Sequence, residues 1–236
     1  MTGKLGGNHM ITLRVCRSVP PFSTAFVPLI LWVFAWSVLA FGQATAVKSA
    51  TTQDIKTFFK GKQKIVLTFV GYSGAGYEDE VSMRKEAERV LSDFDPAKTI
   101  VNIGATPDGI GAVYELAKRK GFFTTGIVSS QAKQYRVKLS SYVDQAFYVE
   151  DSTWGGLVPG TEQLSPTSKA MVENSDVIVG IGGGEVARDE LIAGKRLGKK
   201  VRFIPAEMNH QKARESARKK KLPEPTDFRG AANAVF

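Results

Sequence analysis

The chain has 236 residues, of which 43% are hydrophobic and 23% charged, the length of one domain with appendages and the composition of an ordinary folded protein. That balance excludes disordered, collagen-like and disulfide-scaffold classes. Thirty-two Lys and Arg against 23 Asp and Glu give a net charge of +9, but Lys4, Arg14 and Arg17 precede residue 47 and no acid does, so loss of that segment leaves +6.

The first element is a leader. A stretch carrying Arg14 and Arg17 runs into the apolar block Phe26 to Phe41 and then reaches the small-residue site Ala44-Thr45-Ala46. This order predicts a secretory signal peptide over residues 1–46, cleaved near Ala46, and a secreted or periplasmic protein. The alternative is an N-terminal membrane anchor, against which stand the block's 16 residues, Pro28 and Ser37, where a span takes about 20. The one cysteine, Cys16, leaves with the leader, so the mature chain has no thiol for a nucleophile, a zinc site or a disulfide. His210 is then the only histidine, too few for a His-cluster metal site, and any Ser-His-Asp triad would hang on it. No metal or cofactor is inferred.

From residue 48 onward, short β-rich runs alternate with helical patterns, which predicts one α/β domain over residues 47–222, a Rossmann-like three-layer sandwich with a mainly parallel sheet. The strand candidates are Lys64–Val70, Thr99–Ile103, Thr124–Val128, Gln145–Val149, Asp176–Ile181 and Lys200–Ile204. Helices are expected over Asp79–Leu91, after Gly111, over Pro166–Asn174, and up to Leu197, with an irregular insertion over Ser152–Ser165. Residues 223–236 read as a poorly ordered tail.

Three of these strands run into glycine turns that open a helix: GYSGAGY at 71–77, GATPDGIG at 104–111 and GGGE at 182–185. Such turns place backbone N–H groups and a helix dipole around an anion. The candidate ligand-binding residues are Gly71, Ser73, Gly74, Gly104, Thr106, Gly109, Gly182, Gly183, Gly184 and Glu185, and a phosphorylated small molecule is the natural occupant. Each turn also has a purely structural reading, since glycine permits a tight strand-to-helix turn whether or not anything binds. The dinucleotide spacing G-x-G-x-x-G is not met by Gly71, Gly74 and Gly76, which argues against a simple NAD-type site.

In motif order these residues resemble the SLOG superfamily, which includes the Lonely Guy phosphoribohydrolases, long labelled lysine decarboxylases, the DNA-processing protein A branch and the molybdenum-cofactor carrier-like branch. The resemblance covers about residues 63–210. It implies a Rossmann-like domain that binds a nucleotide or nucleoside phosphate across the three turns. The second turn matches through Gly104, Gly109 and Ile110, with Gly111 where the family has Met. The signature P-G-G-x-G-T-x-x-E falls on residues 182–190, keeping the glycine pair Gly183-Gly184 and the terminal Glu190, while Val186-Ala187 replaces Gly-Thr. The family's Arg-Lys pair falls near Thr167, Ser168 and Lys169, without an Arg.

Glu190 is the candidate catalytic residue, the carboxylate that would steady an oxocarbenium-like centre or activate water in N-glycosidic hydrolysis. Asp189 and Glu190 equally fit acids placed early in a helix. Arg84, Lys85 and Arg89, interleaved with Glu80, Glu86 and Glu88, read as a solvated helix face. Eleven basic residues between Lys195 and Lys221, including the run Arg218 to Lys221, face only Glu207 and Glu215; the run is either a polyanion contact or a solvated helix end. The primary expectation is an exported binder of a nucleotide or other small phosphorylated ligand. The alternatives are a nucleoside monophosphate N-glycosidase and a non-catalytic envelope module that holds a partner or polyanion through its basic C-terminal helix. A homodimer is implied by the resemblance alone.

Overall fold

The computed structural model describes residues 45–236, so the leader up to Ala44 lies outside the described residues. Seven strands form one sheet: β1 (Ala46–Ser49), β2 (Ile65–Gly71), β3 (Thr99–Ile103), β4 (Phe123–Ser129), β5 (Gln145–Val149), β6 (Val177–Ile181) and β7 (Lys200–Ile204). The order is β1-β5-β4-β3-β2-β6-β7 and every pairing is parallel. From β2 the chain steps outward through β3, β4 and β5, then returns to the other side of β2 for β6 and β7. The sheet therefore reverses direction between β2 and β6, where Phe69 pairs with Val179 and Gly71 with Ile181. In open α/β sheets the carboxyl ends of strands at such a reversal form the ligand-binding crevice.

Side-chain alternation along the strands explains the layers. Leu67 and Phe69 of β2 and Val101 and Ile103 of β3 face α2 (Glu80–Ser92) and α3 (Ala112–Arg119), meeting Met83, Leu91, Val113 and Leu116. Val66 and Ile100 point the other way, onto Ile55 and Phe59 of α1 (Thr52–Lys62) and Met171 of α5 (Pro166–Glu173). Val70 and Ile178 meet Ala187 and Leu191 of α6 (Glu185–Arg196). A short α4 (Gln131–Gln134) follows β4, and α7 (His210–Lys219) follows β7.

One buried polar line crosses this core. Asn102 Nδ2 donates to Thr68 Oγ1 at 3.2 Å, Thr125 Oγ1 donates to Asn102 Oδ1 at 3.0 Å, and the Thr68 and Ser175 hydroxyls lie 2.6 Å apart. Each of these side chains is out of contact with solvent, so each needs the next to satisfy it.

Two regions differ from expectation. The strand β1 and helix α1 precede the first strand candidate, and Ala46, the last residue of the expected leader, begins β1. Residues 223–236 are not an unpacked tail: they carry α8 (Gly230–Asn233), bury Phe228 and Ala232, and donate from Ala232 N to Gly183 O at 3.0 Å. The small residues Gly230, Ala231 and Ala232 hid this apolar contact because no periodic stripe of large residues marks it. Among the described residues no helix is long and apolar enough to cross a membrane.

Candidate functional site

The fold brings the three glycine turns together at the carboxyl edge of the sheet. Turn one, after β2, is held by Gly76 N donating to Ser73 O at 2.9 Å. The Tyr77 hydroxyl donates to Ile181 O at 2.7 Å and accepts from Tyr72 N at 3.2 Å, tying the turn to the end of β6. Turn two, after β3, leans against turn one through Ile110 N donating to Tyr72 O at 2.7 Å. Gly109 has φ +57° there, and a Cβ on it would collide with the Tyr72 carbonyl oxygen, so only glycine fits both the backbone and the approach. Turn three, after β6, sits beside the other two, with Gly182 N donating to Ile204 O at 2.8 Å.

The crevice between β2 and β6 is filled by the protein itself. Tyr72 and Tyr77 meet edge to face with centroids 5.3 Å apart and both are buried, and burial pushes both phenols above their ordinary pKa. The Tyr72 hydroxyl donates to Arg229 O and lies 3.2 Å from Ala206 O. The segment around Gly230 and Ala232 therefore covers turn three, which leaves Gly182 and Gly183 buried and Glu185 exposed. Ala187, where the family signature has Thr, packs in one cluster with Ala232.

One open space lies instead beside turn two. A cavity of about 370 Å³ is bounded by Gly76 and Tyr77, the start of α2, Asp108–Ala112, residues 138–142 and the start of α7. Asp108 precedes a 3-10 turn (Gly109–Gly111) that leads into α3, and no side chain caps that helical start; α2 is closed by Asp79 and α7 by Asn209. The backbone N–H groups of Ile110 and Gly111 are already committed, to Tyr72 O at 2.7 Å and Asp108 O at 3.0 Å, so side-chain charge sets what this cavity attracts.

The charges in the cavity are not evenly matched. Arg84 bridges Glu80 and Glu115, both at 3.0 Å, and Glu115 also holds Arg119 at 2.7 Å. Among the described residues, Lys138 and Lys212 have no carboxylate within 4 Å, and Asp108 has no basic group within 4 Å. The result is two unpaired ammonium groups and one unpaired carboxylate around an uncapped helical start. By contrast, a cavity of about 200 Å³ near β7 is lined by Glu78, Asp79, Glu86 and Glu207, a setting that repels anions.

Glu190 lies elsewhere. It is buried between α6 and α5, where its Oε1 accepts from the Ser168 hydroxyl at 2.6 Å, and that hydroxyl accepts from Gly156 N at 2.7 Å. Burial pushes its carboxyl up to about 7, against the pull of the Ser168 hydrogen bond and with a further push from Asp189. Glu190 lines none of the cavities described here. The neighbouring cations are also committed: Arg188 pairs with Asp189 at 2.9 Å and Lys169 with Glu173 at 3.9 Å. Below them Asp151 accepts from Thr167 N and Thr153 N, both at 2.8 Å; burial opposes its charge, but these bonds hold its carboxyl below the usual range.

Of the sequence candidates, Gly109 lines the cavity, while Ser73 and Gly74 are exposed at the tip of turn one. Gly71, Gly104 and Thr106 support the turns from behind, half-buried, with Thr106 Oγ1 accepting from Asp108 N at 3.2 Å. Sequence reasoning missed Lys138, and it read Lys212 only as one member of the basic run. In that run, Arg214 and Arg218 face Glu224 at 3.9 and 2.7 Å, and Lys195 Nζ lies 3.8 Å from the centroid of the Phe236 ring. His210 stacks on Phe228 with centroids 4.0 Å apart and bonds Glu207 at 2.8 Å, which is a structural role.

No family model and no curated protein matches the chain. Among solved structures it is similar to the molybdenum cofactor carrier protein of Chlamydomonas reinhardtii, with 19% identity, 59% of this chain and 76% of that one covered, and a TM-score of 0.43. It is also similar to a molybdenum cofactor binding protein from the phototrophic bacterium Rippkaea orientalis, with 16% identity, coverages of 59% and 76%, and a TM-score of 0.44. A third is the structural-genomics target TM1055, with 24% identity, coverages of 58% and 72%, and a TM-score of 0.42. The chain is an α/β protein with a seven-stranded parallel sheet, three of whose strands end in glycine turns.

Proposed function

We propose that the protein binds a small phosphorylated ligand, a nucleotide or nucleoside phosphate, in the cavity beside turn two. The observation that carries this reading is the pair Lys138 and Lys212, unpaired among the described residues, on the lining of one cavity. A phosphate there would take charge-assisted hydrogen bonds from both ammonium groups, bonds roughly twice as strong as neutral ones. Tyr142, nearly half exposed on the same lining, offers a flat apolar face for a base or sugar.

Binding takes precedence over hydrolysis in this reading. An N-glycosidase needs its carboxylate within reach of the reacting carbon, and Glu190 is sealed between α5 and α6. Export is proposed from the leader alone, and N-terminal sequencing of the protein made in a secreting host tests it, with Val47 as the expected first residue.

Thermal unfolding of the protein with nucleoside monophosphates, nucleosides, inorganic phosphate and sugar phosphates tests the binding. A ligand at about 100 times its Kd adds about 2.7 kcal/mol of stability. A shift with a nucleoside monophosphate that is absent with the nucleoside supports the site. No shift with any phosphate contradicts it.

A further inference from the structure

We infer that the ligand extends past Lys212 into a second cavity, so that the protein takes a dinucleotide-type ligand, two organic groups joined by a diphosphate, in preference to a mononucleotide. The inference rests on the phosphate-binding reading above.

On the far side of turn one, next to Gly74 and Ala75, lies a cavity of about 580 Å³. Lys212 lines both cavities. Its Nζ is 3.2 Å from the place a Cβ on Gly76 would occupy, and Gly76 has φ +64°, so the bare residue there lets the ammonium lie across the turn. The two spaces lie on either side of the backbone pairing of Tyr77 with Met208, and Lys212 is the one residue that lines both.

The second cavity has the chemistry of an organic arm beside an anion. Met208, Ala213, Ala217, Leu222 and Pro223 supply apolar surface, and Leu222 is 58% exposed although nothing polar on it requires water. Lys219 and Lys220 stand on the rim, and the one acid, Glu215, accepts from Gln211 Nε2 at 2.9 Å. Ligand sites run to about 300–1,000 Å³; the first cavity alone is at the small end and the two together approach the large end. A diphosphate over Lys212 would face Lys138 on one side and Lys219 and Lys220 on the other. Asp79 closes the start of α2 by accepting from Ser82 N at 2.8 Å, so the diphosphate would not sit on the helix that follows turn one as it does after G-x-G-x-x-G.

Calorimetric titration of the full chain with AMP and with NAD, as mononucleotide and dinucleotide probes, tests this. NAD is expected to bind at least about tenfold more tightly than AMP, a gain of about 1.4 kcal/mol. Leu222→Asp, on the surface and in the second cavity only, is expected to remove that gain and leave AMP binding unchanged, whereas Lys212→Ala weakens both. Equal or weaker binding of NAD, or a Leu222→Asp variant that keeps the gain, overturns the inference and leaves the phosphate site standing. Binding of neither probe overturns both.

Discussion

The Ser168 hydroxyl joins two helices and a loop through Glu190: it donates to the buried Oε1 at 2.6 Å and accepts from Gly156 N at 2.7 Å. The position the family resemblance marks as catalytic thus has a measurable structural role. With its carboxyl at about 7 in the fold and 4.5 as an ordinary Glu, the native state keeps a proton that the unfolded chain has released between those values. Stability therefore falls as pH rises from about 4.5 to 7 and is level on either side, by up to about 3 kcal/mol at 1.36 kcal/mol per pKa unit. Glu190→Gln keeps an acceptor for Ser168 without the charge. Urea unfolding is expected to show the variant gaining on the wild type across that window; parallel pH profiles would mean that Glu190 is solvated.

Asn102 is the centre of the buried polar line across β2, β3 and β4. Removing it in Asn102→Ala leaves the Thr125 hydroxyl without its partner and takes a donor from Thr68. The expected loss is about 2–4 kcal/mol, from unsatisfied buried groups at about 1–3 kcal/mol each plus a small cavity. A loss below about 0.5 kcal/mol in denaturant unfolding would show that the line carries no stability.

Asp108 is the unpaired acid of the first cavity. Neutralising it in Asp108→Asn keeps the turn's shape and removes a repulsion of the kind that screening weakens. Phosphate binding is expected to tighten severalfold at low salt and less so at high salt, read by titration with AMP. Unchanged affinity would place the phosphate elsewhere.

Tyr72 holds the C-terminal segment through its hydroxyl to Arg229 O. Tyr72→Phe is expected to speed hydrogen exchange at Ala232 N, which otherwise donates to Gly183 O at 3.0 Å, while core amides such as those of β3 stay protected. Equal protection of Ala232 in the variant would mean that the segment is held by Phe228 and Ala232 alone.

Much of this architecture is legible in the sequence because it is local. Strand runs such as Thr99–Ile103 and Gln145–Val149 carry their own β-branched and aromatic signal, and the structure places those strands over the same residues. Helix α1 escaped because Gly61 and its many polar residues dilute its pattern; Thr51 and Asp54 form a reciprocal cap, and Ile55 and Phe59, four apart, are its only buried residues. The glycine turns were readable for the same local reason. Lys138 was not, since it acts by reaching a cavity formed by four separate segments. The burial of Glu190 depends on the Gly155-Gly156 stretch folding back over Val186, a contact without periodicity. The C-terminal segment reaches turn three at Gly183 and turn one at Tyr72 through hydrogen bonds across some 50 and 157 positions, beyond any local pattern.

The most direct test of the phosphate site is calorimetric titration of AMP into the wild type and into Lys138→Ala/Lys212→Ala at two salt concentrations. Each lysine is expected to contribute about 1.5–3 kcal/mol as a hydrogen bond to a charged group, so the double variant loses a hundredfold or more in affinity and most of the salt dependence. Binding that survives both substitutions with its salt dependence intact would contradict the account.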